Sequence, residues 1–185
     1  ACGKFAARGQ MRESTAATTT WLGTWLTMPV EGRAVPAIGM SILCLMFLSA
    51  AFWNGFPLLF YDTGAYLLEG LGHIFLVERA PVYAELLLVA GAGFSLWPVV
   101  ILQAVITSYL ILAVARVETP NLSLAGLAVI GAIVSLFTGI AWYVGQVEPD
   151  VFTPVVILSA YLLLFRGEQL GKAQRYLVIG LTGLG

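Results

Sequence analysis

Charge is what this sequence has least of. Lys, Arg, Asp and Glu together make up 10% of the chain, against about 25% in an ordinary soluble domain. Nine basic and ten acidic residues leave a net charge of −1, so there is no basic field to hold nucleic acid. The only histidine is His73, which excludes a multi-histidine metal site from these residues. The two cysteines, Cys2 and Cys44, fall in a polar tail and in an apolar run. They form no CxxC pair and no disulfide framework. Gly91-Ala-Gly93 lacks the third glycine and the strand–helix setting of a dinucleotide loop.

What the chain has instead is apolar length. Hydrophobic residues reach 59% and mean hydropathy is +0.92. Residues 34–61, 86–115 and 119–147 carry no charge over 28, 30 and 29 positions, and residues 151–165 add 15 more. A membrane-crossing helix needs about 20 residues. Glycines 91 and 93 and Pro98 interrupt the second run, so its span is expected at 97–116, after a helix at the surface. The fourth run must borrow residues at both ends, which puts Glu148 and Asp150 at the apolar boundary. The reading is an all-α, polytopic transmembrane helix bundle. It has about four complete spans, near 37–59, 97–116, 122–143 and 149–167, and a truncated fifth at 176–185. Residues 60–96 form an outer loop with surface helices, and 1–33 a cytoplasmic or interfacial tail. That tail has no signal-peptide layout; Trp21, Leu22, Trp25 and Leu26 fit either a short interfacial helix or a disordered segment. Because that last run is unfinished, the chain is expected to be the front part of a longer protein.

Lys and Arg set the direction, because cytoplasmic loops carry their excess. With the N-terminus inside, Lys4, Arg8, Arg12, Arg33, Arg116, Arg166, Lys172 and Arg175 are inside and only Arg79 is outside. Six of the ten acids, Asp62, Glu69, Glu78, Glu85, Glu148 and Asp150, then collect at the outer side. Asn121-Leu-Ser123 matches a glycosylation acceptor but falls inside. Gly131, Ser135 and Gly139 recur every four residues, as a small-residue stripe for close packing against a partner helix. Trp53, Trp97, Trp142 and Tyr143 suit an outer aromatic belt.

Three groups could carry chemistry. Asp62 follows the first span; a carboxylate shielded at a membrane surface can act as a general base, and an N-cap for the following helix explains it equally well. Glu148-Pro149-Asp150 suits a helix start, yet two acids at this boundary also fit a hydrated, protein-lined cavity. Arg79, before Pro81 and Tyr83, can pair with a phosphate or an acid, or be a plain interfacial arginine beside Glu78. A divalent cation on Asp62, Glu148 and Asp150 is chemically open but has no diagnostic spacing.

The order of these features resembles the N-terminal half of the GT-C superfamily of membrane glycosyltransferases, over residues 37–167. The resemblance rests on Asp62 and Tyr66 in the first outer loop and on Arg79-Ala-Pro81-Val-Tyr83 followed by leucines. Ile101-Leu-Gln103 leading to Arg116, and Gly145-Gln146-Val-Glu148-Pro149-Asp150, complete it. It is nearest to the bacterial protein O-mannosyltransferases and the lipid A aminoarabinose transferase. The family's acidic pair is here Asp62-Thr63, and its Pro-Pro is Ala80-Pro81. The resemblance implies a bacterial inner-membrane protein that moves a sugar from a polyprenyl-phosphate donor on the non-cytoplasmic face. Asp62 would be the base and Arg79, Tyr66, Tyr83, Glu148 and Asp150 would bind substrate. The expected partners are the bilayer and the lipid-linked donor. The rival expectations are a transporter or channel with an acidic outer cavity, and a non-catalytic membrane subunit.

Overall fold

Long uncharged runs leave the backbone one economical way to satisfy its polar groups, which is helix. The computed structural model describes residues 34–72 and 81–184, and among these every regular element is helical. In chain order the α-helices are α1 (Ala34–Phe47), α2 (Ser49–Asn54), α3 (Thr63–Gly72), α4 (Pro81–Val89), α5 (Trp97–Glu118), α6 (Leu124–Phe137), α7 (Ile140–Gly145), α8 (Phe152–Phe165) and α9 (Lys172–Thr182). Single 3₁₀ turns, Pro149–Val151 and Gly167–Gln169, flank α8. The N-terminal tail, with Trp21 and Trp25, and the segment holding His73, Glu78 and Arg79 lie outside the described residues.

The second span is the one the pattern predicts most closely: α5 begins at Trp97 and has 22 residues. It alone among the described helices is long and apolar enough to cross a membrane unaided. The other expected spans are segmented, so helix length supports one span where the sequence suggested four. The reasons differ. At Leu48 the interruption is slight: Leu48 N–H still donates to Cys44 O, and Phe52 N–H to Leu48 O. The buried face Leu43, Phe47, Ala51 also runs straight through it. At Gly139 the interruption is real. Its φ of +66° lies in the left-handed region, so α6 stops before it and α7 starts as a separate helix. The expected stripe therefore does not extend to Gly139. Gly131 packs within the chain, where an added Cβ would come within 2.7 Å of Leu43 Cδ2.

α5 is the central helix. It packs on α1, α7 and α8, while α1 also packs on α6, α2 on α7, and α9 on α8. Gln103 is bonded to the carbonyl of Glu148, 45 residues on, and Arg166 to Glu118, 48 residues back. These nearly equal offsets run α5 and α8 side by side in parallel, with α1 and α6 antiparallel to them. The two ends of the bundle consequently differ in charge. Asp62, Glu69, Glu85, Glu148 and Asp150 fall at the end where α5 begins, and Arg116, Arg166, Lys172 and Arg175 at the end where it finishes. α9 opens at Lys172, a turn earlier than the apolar run from Tyr176 predicts.

A candidate acidic site

The two acidic loops are tied to each other by backbone. Leu58 N–H donates to Gly145 O at 2.8 Å and Val147 N–H donates to Leu58 O at 3.0 Å, an isolated parallel bridge between the Leu58 and Gln146 positions. Gly145 also lets α7 approach α2 closely, since its Cβ position lies 3.2 Å from Ala51. Thr63 locks the junction: its buried hydroxyl accepts from Phe60 N–H and donates to Val147 O, both at 2.9 Å. From below, Gln103 on α5 donates through Nε2 to the carbonyls of Gln146 and Glu148, at 3.1 and 3.3 Å. Neither Thr63 nor Gln103 stands out by charge in the sequence. The signal available was a lone amide inside a 30-residue uncharged run, which a buried backbone turn would need.

This frame sets the two ends of the proposed site. Asp62 is half-buried and opens α3, its carbonyl accepting from Ala65 N–H and Tyr66 N–H. Glu148 is 7% exposed, whereas Asp150 on the following 3₁₀ turn faces out. The Glu-Pro-Asp triplet thus divides into one buried and one exposed carboxylate. Arg79 lies outside the described residues.

Between the acids sit the two tyrosines. Tyr66 and Tyr83 meet edge to face with ring centroids 5.2 Å apart, and Tyr83 continues to Phe152 at 6.0 Å. Gly70 makes the pairing of α3 with α4 possible, because a Cβ there would stand 2.7 Å from Ala84 O. Tyr83 is 1% exposed and its hydroxyl has no hydrogen-bond partner among the described residues. Burial, then the negative charge of Glu148, then Tyr66, push its pKa well above the ordinary 10.0. It is a neutral phenol at any physiological pH. Glu69 is also buried here.

Around this junction the surface is aromatic. Trp53, Phe56, Phe60, Tyr61, Phe94, Trp142 and Tyr143 are all exposed. Of the four expected belt residues, Trp53, Trp142 and Tyr143 are outward, while Trp97 is half-buried and stacks on Phe52 at 5.5 Å. Among the described residues no group of three or more His, Cys, Asp or Glu could hold a metal ion. An acidic, aromatic-lined junction of this kind can bind a polyhydroxylated or amphiphilic molecule and take a proton from it. No family model, no curated protein and no solved structure matches this chain.

Proposed function

We propose that this chain is a membrane-embedded glycosyltransferase-like protein that moves a sugar from a polyprenyl-phosphate donor at the non-cytoplasmic face. The observation that carries the reading is the Thr63 hydroxyl bonded to Val147 O, which joins the loop of Asp62 to the loop of Glu148. Membrane insertion is supported by helices that are apolar on their outer faces. Ile101, Val105, Ile133, Leu136, Ile157 and Leu164 are all exposed, on stretches with no charged residue between the two poles. Helices apolar all round belong inside a larger core or a bilayer. Residues 34–54 rise about 30 Å at 1.5 Å each, so α1 and α2 together match the hydrocarbon thickness.

In this reading Asp62 accepts the proton of an acceptor hydroxyl. That oxygen bonds to the anomeric carbon as the bond from carbon to phosphate oxygen breaks, with inversion, and the polyprenyl phosphate leaves. Glu148, Tyr66 and Tyr83 hold the sugar side, Asp150 meets the acceptor from the rim, and Arg79 balances the departing phosphate. The aromatic rim keeps the lipid tail of the donor in the bilayer. A positioned general base contributes about 10²–10⁴-fold. Asp62→Asn, assayed in membranes for transfer from a polyprenyl-phosphate sugar, is expected to lose at least 100-fold while the protein remains folded. Full activity in that variant overturns the assignment.

A second reading, a transporter, has one observation in its favour. Below Gln103, the hydroxyls of Thr107 and Ser108 on α5 are buried without partners among the described residues, a polar track leading inward from the acids. Thr107→Val with Ser108→Ala separates the two: transfer unchanged fits the transferase, and loss of cation or proton flux in proteoliposomes fits the transporter.

A further inference from the structure

At the pole opposite Asp62 and Glu148, α8, the turn Gly167–Gln169 and the first turn of α9 line a cleft of about 380 Å³. Arg166 and Arg175 line it with Glu168 and Gln169, and Leu164 and Phe165 form its apolar side. Arg166 is fixed in place: Nε and Nη2 donate to the two carboxylate oxygens of Glu118 at 2.8 and 2.9 Å, and Tyr161 donates to the same carboxylate. Arg175 is different. It is exposed and has neither an ion pair nor a side-chain hydrogen bond among the described residues.

The electrostatics of this corner are unbalanced. Lys172 and Arg175 stand in the first turn of α9, where no acidic residue lies. A helix start carries partial positive charge and favours anions, so two cations there repel both the dipole and each other. Glu168 is the one acid in the lining that offsets them. An anion in the cleft relieves this, and a phosphate accepts the two-pronged hydrogen bonding that a free guanidinium offers. The apolar side says which phosphate. Leu164 and Phe165 are 78% and 72% exposed next to the arginines, which suits a charged head continued by hydrocarbon chains.

We propose that this cleft binds the phosphate headgroup of an anionic phospholipid in the leaflet at the basic end. The inference rests on the membrane reading above but not on the transfer chemistry. The test is thermal unfolding of the full chain in neutral detergent, titrated with phosphatidylglycerol, phosphatidylcholine or inorganic phosphate. Bound ligand raises the Tm by mass action. Phosphatidylglycerol is expected to give a saturable rise that phosphatidylcholine does not. Arg175→Gln is expected to weaken that response roughly tenfold, the scale of one charge-assisted hydrogen bond. Arg116→Gln, at the same pole but outside the cleft, leaves it unchanged. An undiminished response in Arg175→Gln, or an equal loss in Arg116→Gln, overturns the site. Inorganic phosphate matching the lipid's effect makes it a free-phosphate site and overturns the lipid assignment. Release of the chain from membranes by alkaline carbonate without detergent sinks the membrane reading instead, and is measured separately.

Discussion

At Tyr83 a full phenol ring sits between Tyr66 and Phe152 with its hydroxyl buried and unpaired. An unpaired buried hydroxyl costs about 1–3 kcal/mol, and deleting it removes that cost. Tyr83→Phe is therefore expected to leave stability within about 1 kcal/mol of wild type or above it, whereas Tyr83→Ala, which empties the ring site, loses about 3–5 kcal/mol. Denaturant unfolding in detergent distinguishes them. The pH consequence has a definite sign. Burial first, then Glu148 and Tyr66, raise the folded pKa above 10.0. Below that value both states are protonated and the stabilising difference is intact. As pH rises past 10.0 only the unfolded chain loses the proton, so stability falls. The wild type should lose stability above about pH 10 more steeply than Tyr83→Phe; equal slopes would contradict the buried neutral phenol. The sequence pointed to Tyr83 through its motif, but nothing in a linear string told it apart from the exposed Tyr61 or Tyr143.

Between elements, the contacts that matter are small residues and one hydroxyl. Thr63→Val keeps the shape but removes the acceptor for Phe60 N–H and the donor to Val147 O, leaving two groups without that partner. It is expected to cost about 1–3 kcal/mol and to loosen the loop junction. Slower transfer with faster hydrogen exchange at residues 58–63 and 145–148 is the signature; unchanged exchange in both segments speaks against the junction. The glycines predict an order. Gly70→Ala meets the Ala84 carbonyl at 2.7 Å, which is backbone, while Gly131→Ala meets the ends of the Leu43 and Met46 side chains. Side-chain ends can swing and backbone cannot, so Gly70→Ala should lower the Tm clearly more than Gly131→Ala. Legibility in the sequence follows the same physics. The helix α5 was readable to within two residues at its end, because uninterrupted apolar length admits little else. The break at Gly139 was not, since a glycine at four-residue spacing looks the same on a packed face and in a left-handed turn. Gly131 took the first role and Gly139 the second. The pairing of the loops depends on contacts 84 residues apart, which no local pattern encodes.

Over the whole molecule, the fold turns a sequence count into a spatial separation. Five of the seven described acids, Asp62, Glu69, Glu85, Glu148 and Asp150, stand at one end; Arg116, Arg166, Lys172 and Arg175 stand at the other with Glu118 and Glu168, and the helix between is uncharged. The parallel pairing of α5 with α8 is what produces this, since it returns the chain twice to the same side. On the membrane reading proposed above, such a molecule would sit in a bilayer with its basic end toward the cytoplasm and the Asp62–Glu148 junction on the other side. The most direct measurement of that claim is thiol accessibility in intact cells, in a chain with Cys2→Ser and Cys44→Ala. Asp150→Cys and Glu168→Cys occupy exposed positions at the two poles. A membrane-impermeant maleimide is expected to label Asp150→Cys in intact cells and Glu168→Cys only after permeabilisation. The reverse pattern, or equal labelling of both before permeabilisation, contradicts it.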